Sequence, residues 1–238
     1  MRVDERSSIA KIADEIPGAR QIFETLGIDY ACSGARSLAD AAHAEGLDPE
    51  VLVAGVRRLA APSGETHSWS DRPLADLIRH LTDEHHRFVR DELAAISFGL
   101  FDLCAPPATP DADLQSLRAA IVRLSDVLLP HMHEEEDNLF HPIEALERSW
   151  QSNERPVDSE LLTRIRQIVT EHGTIALQLG SIRELRLRLE AGNELNARVR
   201  TILESVARLE AHLHEYMFLE NCILFPRAVA LQEQMTAA

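Results

Sequence analysis

The 238-residue chain has ordinary globular proportions, with 45% hydrophobic, 26% charged and only 5% aromatic residues. Its net charge of −15 argues against a nucleic-acid backbone or an anionic membrane as a partner. No apolar stretch approaches the ~20 residues of a membrane span, and the N-terminus lacks a secretory apolar core. Three widely spaced cysteines do not suggest a disulfide framework, so we expect a cytoplasmic protein.

Residues 1–60 have the pattern of a small helical domain. Ser7 and Ser8 can cap a first helix, Pro17 suits the first position of a second, and Gly27 can end that second helix. After a turn, Ser37 can cap a third helix, and an Asp-Pro pair can open a fourth. These signals predict four short helices.

The rest of the chain has the pattern of a helical bundle. Residues 61–72 are rich in Pro, Gly and Ser without an apolar period, which predicts a linker before a bundle over 73–238. Apolar residues then recur at three- and four-residue steps in four segments, roughly 73–99, 113–147, 158–191 and 194–230. Strand-like alternation is not evident. The predicted fold class is therefore all-α: a four-helix bundle with a small helical N-terminal domain.

Two stretches of the chain are near-copies of each other, His131–Phe140 and Tyr216–Phe225. Each places a glutamate, Glu135 or Glu220, four residues after its first residue, which is a potential ligand. Residues at i and i+4 of a helix project from the same face. Both pairs can therefore point into a bundle core.

A second echo is the match between Glu84-His85-His86 and Glu171-His172. It supplies one histidine, His86 or His172, from each of the other two predicted helices. Each helix then offers one or two ligands at similar depth, as in bundles that hold a metal pair. Imidazole and carboxylate donors suit iron, manganese or zinc, and the lack of clustered thiols argues against iron–sulfur ligation. The repeated residues predict a two-metal centre.

The remaining histidines have no such echo. His133 should face away from His131. His214 lies two residues off register and could replace Tyr216 only with a local helix distortion, and His212 lies on a closer face but a full turn further from Glu220. Surface or packing roles are expected for the others, His43, His67, His80 and His141. The alternative to a two-metal centre is a helical adaptor protein without stoichiometric metal, whose acidic surface binds another protein.

Five residues have a spacing that resembles the hemerythrin-like HHE domain: His86, His131, Glu135, His172 and Glu220. The last of them, Glu220, is followed by the string Asn-x-x-Leu-Phe-Pro, which also resembles that domain. The segment ADEIPGARQIFETLGIDYACSGARSLADA resembles the small domain that precedes it in the family for repair of iron centres. Together the two resemblances cover nearly the whole chain.

The resemblance implies a non-haem di-iron protein of the bacterial cytoplasm that responds to nitrosative or oxidative stress. It would repair damaged iron–sulfur clusters of client proteins or supply iron to them. The alternative is a di-iron protein that binds NO or O2 or scavenges NO. An iron donor or gas-binding protein is expected rather than a multi-turnover enzyme, with two iron ions preferred over manganese or zinc. The N-terminal domain is a plausible homodimer contact.

Two residues depart from the family pattern. The Cys-Cys-Gly-Gly turn of the family is Ala31-Cys32-Ser33-Gly34 here, so a vicinal disulfide is impossible. Cys32 is then expected to be a reactive thiol or an iron hand-off ligand, or else a structural cysteine. Tyr216 stands where the family has histidine. It would bind iron as a phenolate, which we favour, or leave a position open to water, O2 or NO.

Overall fold

The computed structural model describes residues 3–59, 69–105, 112–152, 154, 160–192 and 196–237. Every regular element in these ranges is helical, apart from an isolated bridge between Ser8 and Ser37. The all-α prediction is confirmed. None of the described helices has an apolar stretch that could span a bilayer.

The N-terminal unit contains four short helices: α1 (Ile9–Glu15), α2 (Pro17–Leu26), α3 (Leu38–Ala44) and α4 (Pro49–Leu59). The Ser8 side chain caps α1 and the Ser37 side chain caps α3, each by accepting a hydrogen bond from a backbone N–H of the first turn. Gly27 ends α2 with a φ of 77°, the left-handed conformation that glycine adopts without strain. The predicted caps are confirmed.

Four long helices follow, and three of them contain one π-helical turn. Their parts in chain order are α5 (Leu74–His80), π1 (Leu81–His86) and α6 (Arg87–Leu103); α7 (Ala112–Glu134), π2 (Glu135–Phe140) and α8 (His141–Ser152); α9 (Leu161–Ala191); and α10 (Ala197–Phe218), π3 (Leu219–Leu224) and α11 (Phe225–Ala237). Helix α7 packs against α6 and α9, and α10 also packs against α6 and α9, which closes a four-helix bundle. Residues 61–68 of the predicted linker lie outside the described residues.

The N-terminal unit packs on the last bundle helix. Arg20 forms an ion pair with Glu215, and its guanidinium lies 4.8 Å from the ring centroid of Phe218. The Tyr30 ring lies 5.5 Å from the same phenylalanine ring. The two units therefore share one core, although the chain positions where they divide remain a prediction.

The turn after α2 sits directly on π3. The Asn221 side chain donates a 3.2 Å hydrogen bond to the Ala31 carbonyl, and the Cys222 sulfur lies 3.7 Å from the same carbonyl. A Cβ atom on Gly34 would lie 2.6 Å from that sulfur and 2.8 Å from the Tyr30 carbonyl oxygen. Only a glycine allows the turn to approach π3 so closely.

We expect Gly34→Ala to lower the free energy of unfolding by about 1–3 kcal/mol, because the added methyl group overpacks this contact. The matched control is Gly55→Ala in α4, where nothing lies within 4 Å of the added carbon. Alanine should raise the free energy of unfolding there by about 0.5–1 kcal/mol. Urea unfolding of both variants checks the prediction, and equal effects of the two substitutions would contradict it.

Candidate metal centre

Three of the predicted ligands lie in the π-helical turns. His86 ends π1, Glu135 begins π2, and Glu220 is the second residue of π3. A π-helical turn changes the facing of the residues after it, and such turns occur frequently at functional sites. His131 and His172 come from regular turns of α7 and α9.

All the predicted metal ligands are buried at the centre of the bundle. No more than 3% of any of their surfaces is exposed, and this holds for His86, His131, Glu135, His172, Tyr216 and Glu220. Ionisable side chains are almost never fully buried unless they are paired or bind metals. Their convergence is the first structural indication of a cation site.

The buried ligands form two clusters that share one carboxylate. The first contains His131, Glu135 and His172, and the second contains His86, Glu135 and Glu220; in each, the ligand atoms lie within 4.8 Å of one another. The Nε2 atoms of His131 and His172, the two histidines of the first cluster, are 3.0 Å apart. Glu135 directs Oε1 at the first cluster, 3.1 Å from His131 Nε2, and Oε2 at the second, 3.5 Å from His86 Nε2.

Several polar atoms at this centre lack a hydrogen bond of normal geometry: His86 Nε2, Glu135 Oε1 and both carboxylate oxygens of Glu220. A buried polar atom without a partner costs free energy, and more so when it belongs to a charged group. A bound cation would satisfy these atoms together. The residues present therefore fit metal ions.

Each histidine of the two clusters is held through its Nδ1 atom, while its Nε2 atom faces the cluster. The Nδ1 atom lies 2.6 Å from Glu136 Oε1 in His86, 2.8 Å from Glu171 Oε2 in His131 and 2.8 Å from Asn221 Oδ1 in His172. When Nδ1–H donates to such a partner, the Nε2 lone pair is free to bind a metal. All three Nε2 atoms point to the clusters in this way.

Comparison with known proteins agrees with this geometry. Residues 76–228 match the hemerythrin HHE cation binding domain. The chain belongs to this hemerythrin HHE family. Residues 5–60 match ScdA_N, which is described as a domain of unknown function.

Full-length relatives combine both parts. The iron–sulfur cluster repair protein YtfE of Escherichia coli O17:K52:H18 (strain UMN026 / ExPEC) is 27% identical over 222 residues, which are 93% of this chain and 96% of the relative. YtfE of E. coli O6:K15:H31 (strain 536 / UPEC) and of Shigella boydii serotype 4 (strain Sb227) match with the same identity and coverage. The resemblance noted from the sequence is confirmed.

Two residues that sequence reasoning missed orient ligands in this HHE domain, and they occupy equivalent positions. Glu136 follows Glu135 and holds His86, whereas Asn221 follows Glu220 and holds His172. The 85-residue echo that aligns the two glutamates aligns these two residues as well. The repeat was thus a usable signal for the supporting residues.

The two buried glutamates are electrostatically unequal. Burial and the neighbouring Glu135 charge raise the pKa of Glu220 to about 7. Burial opposes ionisation of Glu135 too, but contacts with His131 and His172 hold its pKa below the usual range. Glu135 is therefore the ionised carboxylate that both clusters share. A bound cation would favour the ionised form of Glu220 as well.

The Tyr216 hydroxyl reaches the centre and donates a hydrogen bond to Glu135 Oε2. Burial raises the pKa of Tyr216 well above its usual range, and the charges of Glu135 and Glu220 raise it further. Bound cations reverse such a shift, because they favour the anionic phenolate. The geometry places this side chain at the clusters.

Cys32 does not belong to either cluster. Its sulfur lies 3.8 Å from Asn221 Nδ2, next to the residue that orients His172. The side chain lines a cavity of about 360 Å³ between the N-terminal unit and the bundle. Cys32 is exposed as a residue, but partial burial of its sulfur and the Asp29 charge raise the pKa of the thiol to about 12, which disfavours a free nucleophilic thiolate. Its expected role in iron transfer remains a prediction.

The other histidines lie outside the clusters. His133 is exposed beside Asp137, which confirms that it faces away from the core. His214 is packed 6.4 Å from the Tyr30 ring, and His212 stacks on Phe88 at 3.8 Å. His43 and His141 are exposed. His67 lies outside the described residues.

His85 provides a test of pH dependence. Burial, together with the neighbouring His80 and His212, lowers its pKa to about 3. The unfolded chain binds this proton near pH 6.5, so the free energy of unfolding should fall as pH drops from 6.5 towards 3, by up to about 1.4 kcal/mol per pH unit. Urea unfolding of the metal-free protein over this range should give a shallower pH slope for His85→Phe. An unchanged slope would refute the prediction.

Proposed function

We propose that the protein holds two iron ions in the two clusters and uses them to repair damaged iron–sulfur clusters of client proteins. The observation that carries the proposal is the pair of buried clusters that share Glu135, with unpartnered ligand atoms pointing inward. Histidine and carboxylate donors would also accept manganese or zinc. We choose iron because the relatives are named as iron–sulfur cluster repair proteins.

In this proposal His131 and His172 would hold one ion, His86 and Glu220 would hold the other, and Glu135 would be a ligand common to both. Bound iron would supply both the metal to be donated and one-electron chemistry. The protein's own contribution is to fix the ligands: Glu136, Glu171 and Asn221 orient the three imidazoles, and apolar side chains exclude water.

The N-terminal turn offers a route for iron to leave. Cys32 and Asn221 are in contact, and Asn221 holds a proposed iron ligand, His172. An iron-bound thiol is deprotonated by the metal, so the high pKa of free Cys32 does not prevent ligation. The free cysteines of the described chain suit the reducing cytoplasm. We therefore assign Cys32 as a transient ligand on the way to the client.

Two measurements test the function. Elemental analysis of protein purified without added metal should find about two irons per chain, the content of di-iron bundles. The iron-loaded protein should then reactivate an iron–sulfur dehydratase damaged by peroxide or NO. Cys32→Ala should keep the iron and NO binding but lose reactivation, whereas Cys104→Ala should keep all three. Full iron content without reactivation by the unmodified chain would overturn the repair function.

Tyr216 should bind ferric iron as a phenolate. Its hydroxyl already contacts Glu135, and two cations would offset the carboxylate charges that keep it protonated. The iron-loaded ferric protein should therefore show a purple to blue phenolate-to-iron absorption band. Tyr216→Phe should remove that band without loss of iron. A spectrum that is unchanged by this substitution would show that the phenol is not a ligand.

A further inference from the structure

Four aromatic rings lead from the surface to the metal centre. Trp69 stacks on His80 with ring centroids 4.7 Å apart, and His80 meets His85 edge-on at 5.0 Å. The His85 ring lies 6.5 Å from that of Tyr216, whose hydroxyl contacts Glu135. Each ring thus neighbours the next.

The two ends of this row have different surroundings. Trp69 is partly buried and lines an open cleft at the bundle surface, together with Arg72 and His80. Tyr216 is fully buried. The row therefore connects a solvent-accessible indole with a phenol that solvent cannot reach.

We propose that the row Trp69–His80–His85–Tyr216 carries single electrons between the surface and the metal centre. Indole and phenol are the side chains that most readily give up one electron, and aromatic rings in contact provide electronic coupling. The two imidazoles fill the space between them with π-systems. In this assignment Trp69 is the surface port and Tyr216 is the inner terminus.

The elementary step balances when a one-electron oxidising radical in solvent removes an electron and a proton from Trp69. The tryptophanyl radical then takes an electron from Tyr216 through the row and a proton from water. Tyr216 loses its electron along the row and its phenolic proton to Glu135 through their hydrogen bond. The products are intact Trp69 and a buried tyrosyl radical.

Local charge favours this direction of transfer. The Arg72 guanidinium lies 4.5 Å from the centroid of the Trp69 ring. A cation over an aromatic face stabilises the intact ring relative to its electron-deficient form. An oxidised Trp69 ring therefore tends to take an electron from Tyr216. The neighbouring Glu135 carboxylate can accept the phenolic proton that Tyr216 loses.

Pulse radiolysis with azide radicals tests the path in the metal-free full-length chain, so the result does not depend on the proposed iron function. The chain has two tryptophans, and the second, Trp150, is 48% exposed at the end of α8. In Trp150→Phe, the tryptophanyl absorption should decay as the tyrosyl absorption rises, at a first-order rate independent of protein concentration. The matched Trp69→Phe protein should lose this conversion.

Further substitutions in the Trp150→Phe background locate the inner terminus. Tyr216→Phe should abolish the rise of the tyrosyl absorption, whereas Tyr30→Phe should preserve it, since Tyr30 is the second tyrosine and is not in the row. His85→Leu should slow the conversion. Equal rates in Trp150→Phe and Trp69→Phe would overturn the proposal, and so would a conversion that depends on Tyr30. Circular dichroism confirms that each variant is folded.

Discussion

Glu135→Gln should lose both metal ions. Glu135 is the residue common to both clusters, and it carries the firm negative charge between the buried histidines. A neutral amide at this position would remove an anionic ligand from both proposed ions at once. After anaerobic ferrous loading and desalting, iron content should fall from about two per chain, as in di-iron carboxylate bundles, to well below one.

Two matched variants make this result specific. Glu134→Gln changes the exposed neighbour of Glu135 in the chain and should keep both ions. His131→Ala removes a ligand of the first cluster alone and should keep about one ion in a two-metal bundle. If Glu135→Gln retained as much iron as His131→Ala, the shared carboxylate would not bridge two ions.

Thermal unfolding gives an independent measure of the same loss. A ligand that binds the folded state and not the unfolded state raises the melting temperature by mass action. Ferrous iron or zinc should therefore raise the melting temperature of the natural chain and of Glu134→Gln, but not that of Glu135→Gln. Circular dichroism of metal-free Glu135→Gln checks that the variant is folded, because the substitution removes the carboxylate that pairs with buried His131 and His172.

The sequence was sufficient to predict the helices, which follow from local rules. It was also sufficient to predict the residues that meet at the centre, because its repeats mark them. Ser8 and Ser37 signal helix starts through their side-chain chemistry, and the i, i+4 pair His131 and Glu135 shares a face in any helix. The long-range echo then joined residues from separate helices. Burial of that set in the structure agrees with its prediction as a site.

The π-helical turns could not be predicted in the same way. A π-helical turn changes the hydrogen-bond register without a characteristic composition, and packing of neighbouring helices decides where it forms. The sequence around Glu135 and Glu220 shows the repeat, but a regular helix would satisfy the same spacing. The supporting role of Glu136 depends on this geometry too, since it brings the carboxylate to His86.

The contact between the two units was also beyond sequence reasoning. Cys32 and Cys222 are far apart in the chain, yet Cys32 lies in the turn that docks on π3 and Cys222 lies in π3 itself, with its sulfur against that turn. Gly34 permits this approach, but a glycine in a turn has many explanations until its neighbours are known. Docking places the N-terminal turn against Asn221, and with it against the support of His172.

Asn221 should therefore control both metal affinity and the position of the N-terminal turn. Its Oδ1 atom lies 2.8 Å from His172 Nδ1, and its Nδ2 atom donates to the Ala31 carbonyl. We expect Asn221→Ala to weaken metal binding by about 10–100-fold, the usual effect of removing a residue that orients a ligating histidine. Competition with a chromophoric chelator measures this loss.

Two further variants separate the roles of Asn221. Asn221→Asp keeps an oxygen for His172 but loses the donor to Ala31, so it should restore most of the metal affinity while the N-terminal turn remains loosened. Faster proteolysis or hydrogen exchange of that turn would report the loosening. Asn138→Ala is the control within π2, because the exposed Asn138 side chain donates its hydrogen bond to exposed Glu134 and not to a cluster histidine. Unchanged affinity in Asn221→Ala would show that His172 does not need this support. A loss in Asn221→Asp equal to that in Asn221→Ala would assign the effect to the docked turn, and metal retention would then depend on the N-terminal unit itself.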